Sequence, residues 1–188
     1  IKTSVTGTAR LEYPNGTVTS IDADTSIKIT ALDGTGNRSR LSLLGGSILS
    51  KIERILGTGD YYEVETENVV ASVRGTIFGT EYRNRISRVY GIENTVKVKT
   101  RDPKLGKPVE GTEIDVKSGE KASVNSTDIT AGIRSVQKET LAAKDFQSSF
   151  TREHVIGDFK KEDLKKDQVR GFIKKVREHN EKDTKFIQ

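Results

Sequence analysis

From Ala9 to Val124 apolar residues recur at every second position in short runs, and the runs stop at glycine, asparagine, aspartate or proline. A period of two sends alternate side chains to opposite faces, the pattern of a strand with one face in a core and one in water. Ala9, Leu11 and Tyr13 oppose Arg10 and Glu12 before a Pro14-Asn15-Gly16 turn. Ile27, Ile29 and Ala31 oppose Lys28 and Thr30 before Asp33-Gly34, and Tyr62, Val64 and Thr66 oppose Glu63 and Glu65. Val96 and Val98 face away from Lys97 and Lys99, and Ile114 and Val116 lead through a Ser118-Gly119-Glu120 turn to a last strand ending at Val124. Asn-Gly and Asp-Gly between alternating runs mark hairpins and corners. The pattern predicts a mainly β fold, either a β-sandwich or barrel or an irregular β-solenoid.

One run is ambiguous. "RLSLLGGSILSKIERIL" alternates at Leu41 and Leu43, while Ile48, Leu49, Ile52, Ile55 and Leu56 sit near helical spacing. Gly45-Gly46 argues against one helix, since each glycine costs about 1 kcal/mol there relative to alanine. The expectation is strand, glycine bend, strand.

The texture changes after residue 125. Residues 1–125 read as an all-β domain, and residues 126–188 as a linker followed by charged amphipathic helices. "NSTDITAGIRSV" reads as polar linker, and "TLAAKDFQSSF" as a short helix from Leu141 with Thr140 as its cap. A longer helix is expected from about Lys161 to Asn180, with Leu164, Val169, Phe172, Ile173 and Val176 as one apolar stripe. That stripe either docks a partner or packs on the β domain of the same chain.

Composition removes several function classes. There is no cysteine, which excludes disulfides, thiolate metal sites and a cysteine nucleophile. The two histidines, His154 and His179, both lie in the polar tail, so neither a His-rich metal site nor a Ser-His-Asp set is expected. Paired carboxylates such as Asp22 and Asp24, or Glu63, Glu65 and Glu67, read as exposed strand faces. "DADTS" lacks the glycine and terminal glutamate of a calcium loop, and no Lys-Ser/Thr follows "GTGN" or "GTGD". No enzyme, cofactor, metal or small-molecule substrate is expected. Net charge is +5, which invites a nucleic-acid reading. The basic residues are mixed with acidic ones, as in "KKEDLKKD", and no tryptophan offers a stacking platform. No run of about 18 apolar residues spans a membrane. The chain begins at Ile1 and has no methionine, so it reads as processed or cut from a longer one, with any membrane contact expected through an upstream anchor.

The stretch "GDYYEVETENVVASVRGTIFGTEY" carries the most information. It resembles the core signature of the FecR domain family, a strand ending in V-x-T-P followed by x-x-A-x-V-R-G-T-x-F. Val64, Thr66, Ala71, Val73, Arg74, Gly75, Thr76 and Phe78 match it. Upstream, "TGTARLEYPNGTVTSIDADTSIKI" and "LLGGSILSKI" resemble the family's earlier strands, and "IDVKSGEKASV" its closing strand, so the resemblance covers roughly residues 6 to 124. There are departures. No tryptophan stands near Ile48 or Leu49, Ile77 replaces a frequent acidic residue, and the family's first strands would lie upstream of Ile1. The anti-sigma segment, membrane helix and receptor-facing module of signalling members have no counterpart.

The resemblance implies an all-β, non-catalytic, extracytoplasmic module, periplasmic or on the cell surface. It would act as a binding scaffold or sensor through a protein partner. The alternatives are a structural subunit of a self-associating surface assembly and, third, a basic nucleic-acid binder. Within the motif, Arg74 is expected to staple the fold. Its guanidinium offers five donors, enough to satisfy carbonyls left without ladder partners at a bend, while Gly75 supplies the bend's dihedral angles and Thr76 a hydroxyl. The alternative is that Arg74 binds a carboxylate or phosphate.

Overall fold

A computed structural model describes residues 1–53, 57–130, 136–140 and 165–184. Its twelve strands are β1 (Ala9–Glu12), β2 (Val18–Ile21), β3 (Ser26–Leu32), β4 (Arg38–Lys51), β5 (Tyr61–Glu65), β6 (Val69–Val73), β7 (Ile77–Arg83), β8 (Ile86–Glu93), β9 (Thr95–Thr100), β10 (Ile114–Lys117), β11 (Glu120–Asn125) and β12 (Gln137–Thr140). Helix α1 spans Ser126–Thr130 and α2 spans Asp167–Thr184.

The long strand β4 organises the rest. Its first half pairs antiparallel with β3 and parallel with β5, and its second half pairs antiparallel with β2 and β7. The first sheet therefore runs β3-β4-β5-β6-β9-β10, and the second β1-β2-β4-β7-β8-β11-β12. The glycine pair read from the sequence as a bend between two strands is a bend within one strand that changes sheets. Gly46 has φ 94°, and a methyl carbon there would lie 2.5 Å from Thr25 Cα. Glycine alone meets both demands.

The alternating residues meet between the sheets. Leu41, Val64, Val96, Val98 and Val116 of the first sheet share one core with Ile21, Ile48, Phe78, Val89, Ala122 and Val124 of the second. Tyr62 stands between Tyr13 and Phe78, edge-on to both at centroid distances of 6.1 and 6.2 Å. Its hydroxyl is bonded to Thr19 Oγ1 at 2.6 Å and Ser50 Oγ at 2.8 Å. Burial pushes the Tyr62 phenol well above its usual pKa, so it stays neutral in the core. The two sheets are joined through β4 and pack face to face on one core, a mainly β fold closed along much of its rim.

Other expectations are corrected. The stretch 125–136, read as polar linker, contains α1 at Ser126–Thr130, and just beyond it β12 adds to β11 as an edge strand. β12 is exposed along its length, so it lacked the apolar alternation that marked the other strands. Ile29 lies 38% exposed because β3 is an edge strand. The long helix is seen over Asp167–Thr184, so it continues past the expected end at Asn180, while residues 161–164 of the expected span lie outside the described residues. The short helix read from Leu141, and Ile55 and Leu56, fall outside the described residues.

Candidate protein-docking face

The Val-Arg-Gly-Thr motif is the corner that carries the chain from the first sheet to the second. Val73 ends β6 with its side chain in the inner core, and Phe78 enters the same core from β7. Between them Gly75 has φ 147°, a conformation L side chains rarely adopt. Thr76 is buried; its hydroxyl donates to the Glu93 carbonyl, and its own carbonyl accepts from Ile52 N at 2.9 Å. Asn94 Nδ2 donates to the Gly75 carbonyl at 3.0 Å.

Arg74 does not staple these carbonyls. Its side chain is exposed, and among the described residues it has no hydrogen bond or ion pair. The physical reason is that Thr76 and Asn94 already occupy the corner's polar groups, leaving the guanidinium to solvent. It borders a shallow depression of about 650 Å³ with Tyr61, Glu63, Ser72 and Lys97. The charges there are largely matched. Arg40 holds Glu63 at 2.7 Å and Glu65 at 3.3 Å and lies over the Tyr61 ring, and Lys97 holds Glu113 at 3.0 Å. Lys97 and Lys99 pull the Glu113 carboxyl below its usual pKa. The strand carboxylates Glu63 and Glu65 thus form ion pairs, and Asp24 pairs with Arg83 at 3.0 Å. Among the described residues no group of His, Asp or Glu is arranged to hold a metal, and no helix is long and apolar enough to cross a membrane.

The two sheets are stapled elsewhere, by residues the sequence reading passed over. Asn68, in the β5–β6 turn, is fully buried and donates from Nδ2 to the Val124 carbonyl at 2.9 Å and the Arg85 carbonyl at 3.4 Å. Its Oδ1 accepts from the Ser87 hydroxyl, and the Thr66 hydroxyl bonds Ser87 Oγ at 2.6 Å with Asn68 Oδ1 3.2 Å away. One amide thereby joins a turn of the first sheet to β8 and β11 of the second. The available signal was a Thr-x-Asn turn after β5, since these residues bond nearby backbone.

The outer face of the second sheet is apolar at its centre. Leu49 from β4, Ile77 from β7, and Tyr90 and Ile92 from β8 form a second cluster, separate from the inner core. Val169, Phe172 and Ile173 of α2 complete it, all nearly inaccessible to solvent. Of the two alternatives for the stripe, these three residues lie against the chain's own sheet. Leu164 and the side chain of Val176 fall outside the described residues. Tyr90 donates to Glu81 at 2.8 Å, and Arg88 lies 3.5 Å from the same carboxylate. The start of α2 is clasped to the β8–β9 turn: Lys166 pairs with Glu93 at 2.8 Å, and Gln168 Oε1 accepts from Asn94 N at 3.3 Å. Glu93 and Asn94 therefore serve the motif corner with one set of atoms and the helix with another.

The fold and this face define a class of two-sheet β module with a helix seated on one outer surface. A family model described as FecR protein matches residues 1–97; the chain belongs to the FecR family. Two crystal structures of a "putative anti-sigma factor" from Parabacteroides distasonis ATCC 8503, at 1.65 and 2.50 Å, are similar in fold, each with a TM-score of 0.57 and 16% identity. The similarity covers 75% of this chain and 59% of each of those, so the chain spans well under two thirds of their length. No curated protein matches.

Proposed function

We propose that this chain is a non-catalytic binding module that works outside the cytoplasm, as a scaffold or sensory element in a signalling or regulatory pathway, through protein–protein contacts. The observation that carries the reading is the apolar outer face of the second sheet. Leu49, Ile77, Tyr90 and Ile92 all belong to the family-matched segment, yet the helix on them begins at Asp167, far beyond residue 97. A β module whose outer face is apolar is suited to hold a helix there, and in this chain α2 covers that face. The fold's likeness to the anti-sigma factor structure supports a regulatory role.

The location is tested by protease treatment of intact cells that express the protein. Cleavage of this module before lysis is expected; protection until lysis sinks the extracytoplasmic reading. A second reading, a self-associating surface subunit, is favoured by β3. Among the described residues only β4 pairs along Lys28–Leu32, and Leu32 is 52% exposed. Such an edge is a template for another strand. Light scattering over a concentration series separates the two. A constant mass near 20.8 kDa supports the binding module, and growth with concentration supports the assembly.

A further inference from the structure

We propose that Arg38, Arg74 and Lys117, which stand in one row across the outer face of the first sheet, bind an acidic extended segment of a protein partner, with Arg74 as the anchor. The inference rests on the protein-contact reading above and gives it a surface and a partner class.

Strand pairing places these cations. Tyr61 pairs with Arg38, and Arg74 follows Val73, which pairs with Tyr62. Thr95 pairs with Lys117, and Thr95 borders the same depression as Tyr61 and Arg74. From β4 to β10 the row therefore reads Arg38, Tyr61, Arg74, Thr95, Lys117. Their chain neighbours Ser39, Tyr62, Val73, Val96 and Val116 are all buried, so alternation sends the row outward. Arg38, Arg74 and Lys117 are exposed, and the row carries three positive charges and no negative one. Among the described residues none of the three side chains forms an ion pair.

The neighbouring row is balanced. Two residues along each strand stand Arg40, Glu63, Ser72, Lys97 and Asp115, paired in that order. Arg40 holds Glu63 at 2.7 Å, Ser72 donates to Glu63 at 3.1 Å, and Lys97 lies 3.6 Å from Asp115. Asp60, which also borders the depression, accepts from Gly57 N at 2.9 Å. The positive charge left without a counter-charge is thus that of the row in which the motif corner sits.

This row describes its partner. Thr76 is buried and Asn94 holds the Gly75 carbonyl, so the backbone that carries Arg74 is fixed before anything binds. A guanidinium fork meets a carboxylate with two bonds. Adjacent strands lie about 4.8 Å apart, which puts Arg38, Arg74 and Lys117 roughly 10 Å from one to the next. An extended chain advances about 3.3 Å per residue, so carboxylates three residues apart match that spacing. A nucleic acid suits the face less, because Asp60, Glu63 and Asp115 line the same depression and repel a continuous phosphate backbone.

The probe is the synthetic peptide acetyl-Glu-Thr-Thr-Glu-Thr-Thr-Glu-amide, titrated into the isotope-labelled full chain and followed by amide NMR shifts. Shifts centred on Arg74, Gly75 and Thr95 are expected. Arg74→Ala should weaken binding about fivefold, the size of a well-placed exposed ion pair. Arg74→Lys should fall between it and wild type, because it keeps the charge and loses the fork. Lys104→Ala removes an equal charge from the β9–β10 loop, at the far end of β9 from Thr95, and should leave affinity unchanged. A peptide of the same composition with its glutamates adjacent should bind more weakly. Equal losses from Arg74→Ala and Lys104→Ala, shifts centred elsewhere, or no binding by the wild-type chain overturns the proposal. The last result leaves protein contacts through other surfaces standing. Tighter binding of a thymidine tetranucleotide, whose phosphates carry the same charge as the peptide, overturns the proposal and counts against the protein-contact reading as well.

Discussion

Replacing Asn68 by alanine tests where the two sheets are held together. The side chain is fully buried and joins the β5–β6 turn to the Val124 carbonyl and the Ser87 hydroxyl. In Asn68→Ala the buried Val124 carbonyl loses its side-chain donor, while the Ser87 hydroxyl keeps Thr66 Oγ1 at 2.6 Å. An orphaned buried polar group costs about 1–3 kcal/mol, so the expected loss is about 2 kcal/mol. For a domain of this size 1 kcal/mol moves Tm by about 2–4 °C, and the expected loss is therefore about 4–8 °C. Urea denaturation followed by circular dichroism at constant m-value measures the free energy, and a thermal scan measures Tm. Arg74→Ala is the control: an exposed side chain with no described partner should change stability by less than about 0.5 kcal/mol. A loss below about 1 kcal/mol for Asn68→Ala, or a larger loss for Arg74→Ala, would refute the assignment of the staple.

Three further outcomes follow from the same geometry. Gly46→Ala places a side chain at φ 94° and within 2.5 Å of Thr25 Cα; it should cost more than about 3 kcal/mol or prevent folding, and a variant with wild-type Tm contradicts the sheet-changing bend. Tyr62→Phe removes the hydroxyl between Thr19 and Ser50 and should cost about 1–2 kcal/mol by urea titration, with no shift counting against the network. Glu120 accepts from Lys117 N at 2.8 Å and pairs with Lys138 at 3.0 Å, interactions that lower its pKa. Because the folded value is the lower one, its contribution is present above the unfolded value of about 4.3 and is lost as pH falls through the folded value. Glu120→Gln should therefore flatten the acid limb of stability below about pH 4.3, and an unchanged limb removes Glu120 from it.

The strands that alternate cleanly were legible because their information is local. Tyr62 and Val64 against Glu63 and Glu65, or Val96 and Val98 against Lys97 and Lys99, declare a buried face within five residues. The turns were legible for the same reason, since Asn15 and Asp33 bond backbone two to four residues away. β12 stayed hidden because nothing in Gln137–Thr140 faces a core; its only reason to be extended is the neighbouring edge of β11. Arg74 was misassigned because its residue type fits the chemistry of a staple, whereas reach and orientation decide which side chain performs it. Asn68 performs it across a separation of 56 residues.

The sequence by itself determined the β class, the turn positions, the family signature and the apolar stripe around Phe172. The tertiary structure alone decided that β4 serves both sheets, that Asn68 rather than Arg74 joins them, and that α2 covers Leu49, Ile77, Tyr90 and Ile92. The physical reason is range. Periodicity and turn chemistry act between neighbours in the chain, but burial of an outward-facing residue such as Leu49 depends on what a distant segment lays over it.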